Sequence, residues 1–328
     1  GLGPTGVAGR QEDAPVARCA QGALRGRHRR GVQLFAGIPY AAPPVGERRF
    51  RVPAPPEPWD GERDARRFGP AAPQLPGEGL TSRVPIPWDE DCLTLNVVTP
   101  ACDDAPRPVY VWIHGGAYKH GQGATPWYDG TSFATRGDIV VVTINYRLGA
   151  LGFCDLASHL GDDFATCGIN GTLDQAAALR WVHENIAGFG GDPDRITIGG
   201  ESAGAFSVCN MVAMPTTNGL FHQAIAQSGA AHHTFGPDDG KEIAAQFLGR
   251  LGNPSADELL AMDVGALLEA QEQVATDRSH LPGRNQEPFY PVWGHEALPR
   301  DPRELIAEGA GADIAMLTGT NEDELALW

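Results

Sequence analysis

Residues 196–205, Ile196-Thr197-Ile198-Gly199-Gly200-Glu201-Ser202-Ala203-Gly204-Ala205, constrain this chain more than any other stretch. The run opens by alternating apolar and polar side chains, as a short buried strand does, and ends in small residues able to start a helix. Gly200, Ser202 and Gly204 fit Gly-x-Ser-x-Gly. That pattern marks a strand-to-helix turn so sharp that the serine backbone is strained and its hydroxyl stands clear. The flanking glycines are required because a Cβ on either side would meet the neighbouring strand or helix. The serine then sits at a helix N-terminus, where unpaired N–H groups and the dipole favour negative charge.

An ordinary tight turn could carry the same five residues, so the context decides. Phe189-Gly190-Gly191-Asp192-Pro193-Asp194 reads as a turn before the strand. Residues 174–182 read as an amphipathic helix, with Leu173, Ala177, Leu179, Trp181 and Ile186 apolar. Helix, turn, strand, serine, helix is the arrangement a nucleophilic serine needs.

A chain of 328 residues, 42% hydrophobic and 20% charged, suits one large globular domain or two small ones. No run reaches the length of a membrane-spanning helix. Residues 1–9 lack the basic and apolar regions of a signal peptide. A cytoplasmic location is therefore favoured, with secretion open if a leader preceded Gly1. The net charge, 25 − 41 = −16, argues against nucleic acid as a partner. Arg25-Gly26-Arg27-His28-Arg29-Arg30 is a basic patch between two strand-like runs and reads as a solvated hairpin turn. The six cysteines (Cys19, Cys92, Cys102, Cys154, Cys167 and Cys209) show no zinc or redox spacing and read as reduced and structural. Neither a metal nor a cofactor is expected.

Residues 17–39 suggest an opening antiparallel hairpin. Residues 90–98 start acidic and then alternate like a half-buried strand. Residues 108–114 and 138–146 are nearly continuous apolar runs, suiting central strands buried on both faces. Further short strands are expected at 222–229 and 312–319, with helix-forming sequence over 240–273. Strands alternating with helices imply an α/β fold: a mostly parallel central sheet with helices on both faces. Reacting groups then belong at the carboxyl ends of the strands.

Directly after the strand at 108–114 comes His114-Gly115-Gly116-Ala117-Tyr118. Consecutive small residues let N–H groups turn toward one point, and with the N–H of Ala203 they would cage a developing oxyanion. Serine is a poor nucleophile at neutral pH and needs a base, itself oriented by a carboxylate. On such a sheet the chain order is Ser, Asp or Glu, then His. The loop Gly319-Thr320-Asn321-Glu322-Asp323-Glu324 supplies three candidate carboxylates. Yet all ten histidines (28, 114, 120, 159, 183, 222, 232, 233, 280 and 295) precede Glu324, so none occupies the place the order requires. His114 belongs to the glycine loop, and His232-His233 reads as a surface pair. Phe206, Trp127 and Tyr118 are candidate apolar walls of a substrate pocket.

The chain resembles the type-B carboxylesterase/cholinesterase family of α/β-hydrolases, in a bacterial-like form. The likeness is carried nearly end to end by several segments. They are Phe35-Ala36-Gly37-Ile38-Pro39-Tyr40-Ala41-Ala42-Pro43-Pro44-Val45-Gly46, Arg49-Phe50, and Glu90-Asp91-Cys92-Leu93-Thr94-Leu95-Asn96-Val97. Further along the chain come Trp112-Ile113-His114-Gly115-Gly116-Ala117, Asn145-Tyr146-Arg147-Leu148-Gly149, Gly190-Gly191-Asp192-Pro193, the serine turn, and Gln227-Ser228-Gly229. The resemblance implies a serine ester hydrolase of small-molecule esters, with carbamates and amides open to the same chemistry. It implies Ser202 as nucleophile, Gly116, Ala117 and Ala203 as oxyanion donors, and Glu324 as the acid of the triad. It further implies Ser228 in support near the site and Glu201 as a buried carboxylate beside the serine.

Two departures from the family pattern stand out. Many members pair the cysteine of Glu90-Asp91-Cys92-Leu93 with one near residues 68–74, where this chain has Ala72, so Cys92 is expected to be unpaired. The family also continues past its acid, through further strands, to its histidine. Residues 1–328 are thus expected to form the N-terminal part of a single α/β-hydrolase domain. A complementary C-terminal fragment would supply the remaining strands and the base. A non-catalytic binding or adhesion domain of the same fold is the alternative.

Overall fold

The computed structural model describes residues 13–76, 87–283 and 287–324. The first strands are β1 (Val16–Cys19) and β2 (Gly22–Arg25), followed by β3 (Arg27–Arg29), β4 (Val32–Pro39) and β5 (Glu62–Asp64). The expected opening hairpin is therefore two: β1 with β2, and β3 with β4. The second turns through Arg30 and Gly31, both at positive φ (50° and 83°), so of the basic patch only Arg30 lies on that turn, while Arg25 ends β2 and Arg27 to Arg29 form β3. Within the patch, Arg25 pairs with Glu62 and Arg29 with Asp129.

The remaining strands are β6 (Thr94–Thr99), β7 (Arg107–Ile113), β8 (Val140–Ile144), β9 (Gly191–Glu201), β10 (Gln223–Gln227) and β11 (Ala315–Gly319). The large sheet runs β11-β10-β9-β7-β8-β6-β4-β3. From β8 to β11 every pairing is parallel, while β6, β4 and β3 run antiparallel. The expected mostly parallel sheet is present. The helices Asn170–Asn185 and Ala203–Ala213 pack on one face within the main core. Thr131–Gly137 covers the other, where Ala134 meets Leu34, Val98 and Val141.

Two strands differ from their sequence reading. β6 is buried along its whole length, not on one face. It lies inside the sheet, and its polar Asn96 is satisfied there, donating to Thr143 Oγ1 at 3.0 Å and accepting from Gly37 N–H at 3.0 Å. β7 alternates instead of being buried on both faces. Tyr110 and Trp112 line its outer face and touch the rings of Phe133 and Tyr128. The helix-forming stretch after β10 is divided into Pro237–Arg250, Ala256–Ala261 and Val264–Arg278.

The helix before β9 buries Leu179 and Trp181, as its apolar pattern implies, but it also buries polar residues. Leu173 and Ala177 are only partly covered, whereas Asp174 and Gln175 are fully buried. Each has a partner in the interior. Asp174 takes the Arg147 guanidinium in two hydrogen bonds of 2.7 and 2.8 Å, and Gln175 Nε2 donates to Ser207 Oγ at 2.9 Å. A buried charge pair with such geometry is tolerated where either member alone would not be.

What the sheet order does for function is local. β8 lies on one side of β7 and β9 on the other, so the chain reverses its direction of winding at β7. The crevice at that reversal is where open α/β sheets place their ligands. The carboxyl ends of β7, β9, β10 and β11 lie side by side. They deliver, in that order, the glycine loop, Ser202, Ser228 and the loop carrying Glu324.

Candidate active site

Ser202 has φ 54° and ψ −121°, a strained conformation for a residue with a side chain. Two things hold it. Its N–H donates to the Gln227 carbonyl at 3.0 Å, and its carbonyl accepts the Phe206 N–H at 3.0 Å, starting the helix Ala203–Ala213. The glycines on either side are forced by contact. A Cβ on Gly200 would lie 2.4 Å from the Gly204 carbonyl carbon, and one on Gly204 would lie 2.1 Å from the Ile113 oxygen. The elbow is thus pressed directly onto the end of β7.

That contact brings the glycine loop to the serine. A Cβ on Gly115 would stand 2.6 Å from the Glu201 carbonyl oxygen and 3.3 Å from Ser202 Cβ. The loop then turns through Gly116, Ala117 and Tyr118, all at positive φ (109°, 53° and 59°). The Gly116 carbonyl accepts from both Lys119 and His120, closing the turn. Among the described residues, the N–H groups of Gly116 and Ala117 donate to no protein acceptor. Ala203 is the first residue of its helix, so its N–H is one of the unpaired terminal donors.

His114 serves the loop and is no base. It is buried, its Nδ1 lies 2.8 Å from the Gly115 oxygen, and its ring stacks on Tyr146 with centroids 4.5 Å apart. The Tyr146 hydroxyl donates to the His114 carbonyl at 2.7 Å. Burial lowers the His114 pKa to about 4, outweighing the opposite effect of its Gly115 bond, so the ring is neutral near pH 7.

The acids behave differently from each other. Glu324 accepts the Asn321 N–H at 2.7 Å and a side-chain hydrogen bond involving Ser228. Both bonds favour its charged form and hold its pKa below the ordinary carboxylate value. The Ser228 backbone is at φ 52°, and its N–H donates to the Gly319 carbonyl at 2.9 Å, tying the ends of β10 and β11 together. Glu201 corrects an expectation: it is exposed at the end of β9, not buried. The elbow turns the chain there, leaving the residue exposed. Its carboxyl lies against Gly115, and partial desolvation, with a smaller contribution from the Glu324 charge, raises its pKa.

Of the expected pocket walls, Trp127 is 68% exposed and Tyr118 is wholly buried. The Tyr118 hydroxyl meets Ser207 Oγ at 3.1 Å, one turn beyond the elbow, so this ring fastens the loop to the helix. Phe206 is covered face to face by His233, with centroids 3.9 Å apart. His232 is exposed as expected, but His233 belongs to an aromatic cluster with Phe206 and Tyr290. No described histidine hydrogen-bonds to Ser202 or Glu324. The six cysteines are all free thiols, Cys92 among them. Among the described residues no cluster of His, Cys, Asp and Glu could hold a metal, and no helix is long and apolar enough to cross a membrane.

Sequence reasoning missed three residues that shape this site: Gln74, Gln175 and Ser207. Tyr146 stood in a quoted motif without a role. The one available signal was their polarity inside apolar surroundings, since polar side chains that are buried must find partners.

The model of the carboxylesterase family matches residues 13–328. The chain is 43% identical over 308 residues to a para-nitrobenzyl esterase of Bacillus subtilis, covering 92% of this chain and 61% of that protein. It is 39% identical to a phenmedipham hydrolase of Pseudarthrobacter oxydans, covering 94% and 62%. Among solved structures, a Geobacillus stearothermophilus carboxylesterase superposes with a TM-score of 0.86 at 44% identity, covering 95% of this chain and 62% of the other. The chain thus spans about three fifths of the length of these two relatives.

Proposed function

The chain belongs to the carboxylesterase family, and we propose that it is the nucleophile-bearing part of a serine ester hydrolase. The Ser202 hydroxyl attacks the ester carbonyl carbon, and its proton passes to a base. The carbonyl oxygen, now an oxyanion, takes hydrogen bonds from the N–H groups of Gly116, Ala117 and Ala203. The tetrahedral intermediate collapses, the alcohol leaves with the proton, and an acyl group remains on Ser202. Water then attacks that acyl group with the same base removing its proton, releasing the acid and restoring the serine. Glu324 is the carboxylate that orients the base, a role supported by the hydrogen bonds that keep it ionised. Ser228 steadies Glu324, and Glu201 borders the mouth of the site.

The base is a histidine supplied from outside these 328 residues, in a complementary segment of the same precursor. His114 is committed to the loop, and no described histidine reaches Ser202 or Glu324 through a hydrogen bond. Carbamates and activated amides are further substrates open to the same chemistry.

The observation that carries this reading is the approach of the Gly115 backbone to Ser202 Cβ, beside N–H groups without acceptors. The test is hydrolysis of a short-chain p-nitrophenyl ester by the protein at its native length. Ser202→Ala is expected to lower kcat by a factor on the order of 10⁴ or more with an unchanged fold. Undiminished hydrolysis by that variant contradicts the reading and favours the binding-domain alternative.

A further inference from the structure

We propose that Gln74 is a positioning residue for the oxyanion loop, holding it from outside by a two-point hydrogen bond. The inference rests on the proposed function above. Gln74 is 4% exposed, and its carboxamide faces the backbone of Gly121, 47 residues further along the chain. The Gly121 N–H donates to Gln74 Oε1 at 2.9 Å, and Gln74 Nε2 donates to the Gly121 carbonyl at 2.9 Å. The second Nε2 hydrogen is also used, on the Ala72 carbonyl at 3.0 Å. Both functional atoms of the side chain are therefore engaged, and both backbone groups of Gly121 are satisfied by one residue.

The position of Gly121 makes this pairing matter. The loop begins where β7 ends, is fixed there by His114 and Tyr146, and passes through three consecutive positive-φ residues. Its far end is Gly121, at φ 114°, packed against its near end. A Cβ on Gly121 would lie 2.4 Å from His114 Nδ1 and 2.8 Å from the Gly115 oxygen. Displacing Gly121 therefore displaces the His114 ring and the Gly115 peptide, which sits beside Ser202. Gly116 and Ala117 have no hydrogen-bond acceptor of their own, so their aim depends on these two anchored ends. Neighbouring bonds run the same way: Gly123 N–H donates to Asn145 Oδ1 at 2.8 Å, and Asn145 Nδ2 donates to the Pro70 carbonyl at 2.9 Å. The segment around residues 70–74 is thus a strap laid along the outer side of the loop.

A residue acting this way touches no substrate. It alters how well the oxyanion is held while leaving ground-state binding nearly unchanged. The test uses Gln74→Leu, which removes both bonds, and Gln74→Glu, which keeps the shape and the acceptor but loses the donors. In the protein at its native length, each is expected to lower kcat by roughly tenfold or more with KM within about twofold. Affinity for a trifluoromethyl ketone analogue should fall by the same factor. Backbone amide exchange over residues 115–121 should accelerate in both variants, a readout independent of turnover. A kcat and analogue affinity equal to wild type in folded variants overturns the role of Gln74 while leaving the esterase reading intact. A wild-type protein that neither hydrolyses esters nor binds the analogue overturns both together. Should Gln74→Leu fail to fold, Gln74→Glu decides.

Discussion

At the scale of single residues, the site separates groups that carry charge from groups that must not. Glu324 is held ionised by its hydrogen bonds, whereas His114 is held neutral by burial. The second fact has a consequence for stability. The folded-state pKa of His114, about 4, lies below the unfolded value of 6.5. Between those values the unfolded chain binds more protons, so stability rises with pH across this window and is lost as pH falls from about 6.5 to 4. The His114 share of that loss is about 3 kcal/mol. Chemical denaturation at a series of pH values checks it: His114→Gln should show a shallower dependence than wild type between pH 6.5 and 4. Parallel curves would mean that the ring is protonated, or accessible, in the folded state.

At the scale of elements, the elbow works because a helix start and a strand end share a space without room for side chains. Gly204→Ala places a methyl group 2.1 Å from the Ile113 oxygen, where only backbone can give way. We expect it to destabilise the fold by about 1–3 kcal/mol and to lower esterase activity further than stability alone explains, by moving Ser202 away from the Gly115 loop. Denaturation midpoints compared with kcat at a temperature where both proteins are folded provide the check. This element was legible in the sequence because each of its letters is required by a local contact. The full burial of β6 and the burial of Asp174 and Gln175 in the helix Asn170–Asn185 were not. Asn96, Asp174 and Gln175 look solvent-facing by pattern, but their partners Thr143, Arg147 and Ser207 lie 27 to 47 residues away in sequence. Periodicity reports hydrophobicity along one element and is blind to a polar pair formed between two. Gln74 is hidden for the same reason, and the burial that the family resemblance implies for Glu201 does not hold, because the turn leaves that residue exposed.

At the scale of the whole molecule, adjacent parallel strands bring four loops to one edge of the sheet, and the proposed chemistry is spread across them. β11 pairs with β10 along one side and is exposed along its length, Leu317 to 66%. The role proposed for Ser202 is that of an activated nucleophile facing unpaired amides on the β7 loop. Its most direct test is to treat the protein at native length with a fluorophosphonate, digest it, and locate the adduct by mass spectrometry. One adduct per molecule is expected, on Ser202, with labelling slowed when Gly115 or Gln74 is substituted. An intact, folded protein that remains unlabelled at Ser202 would contradict it.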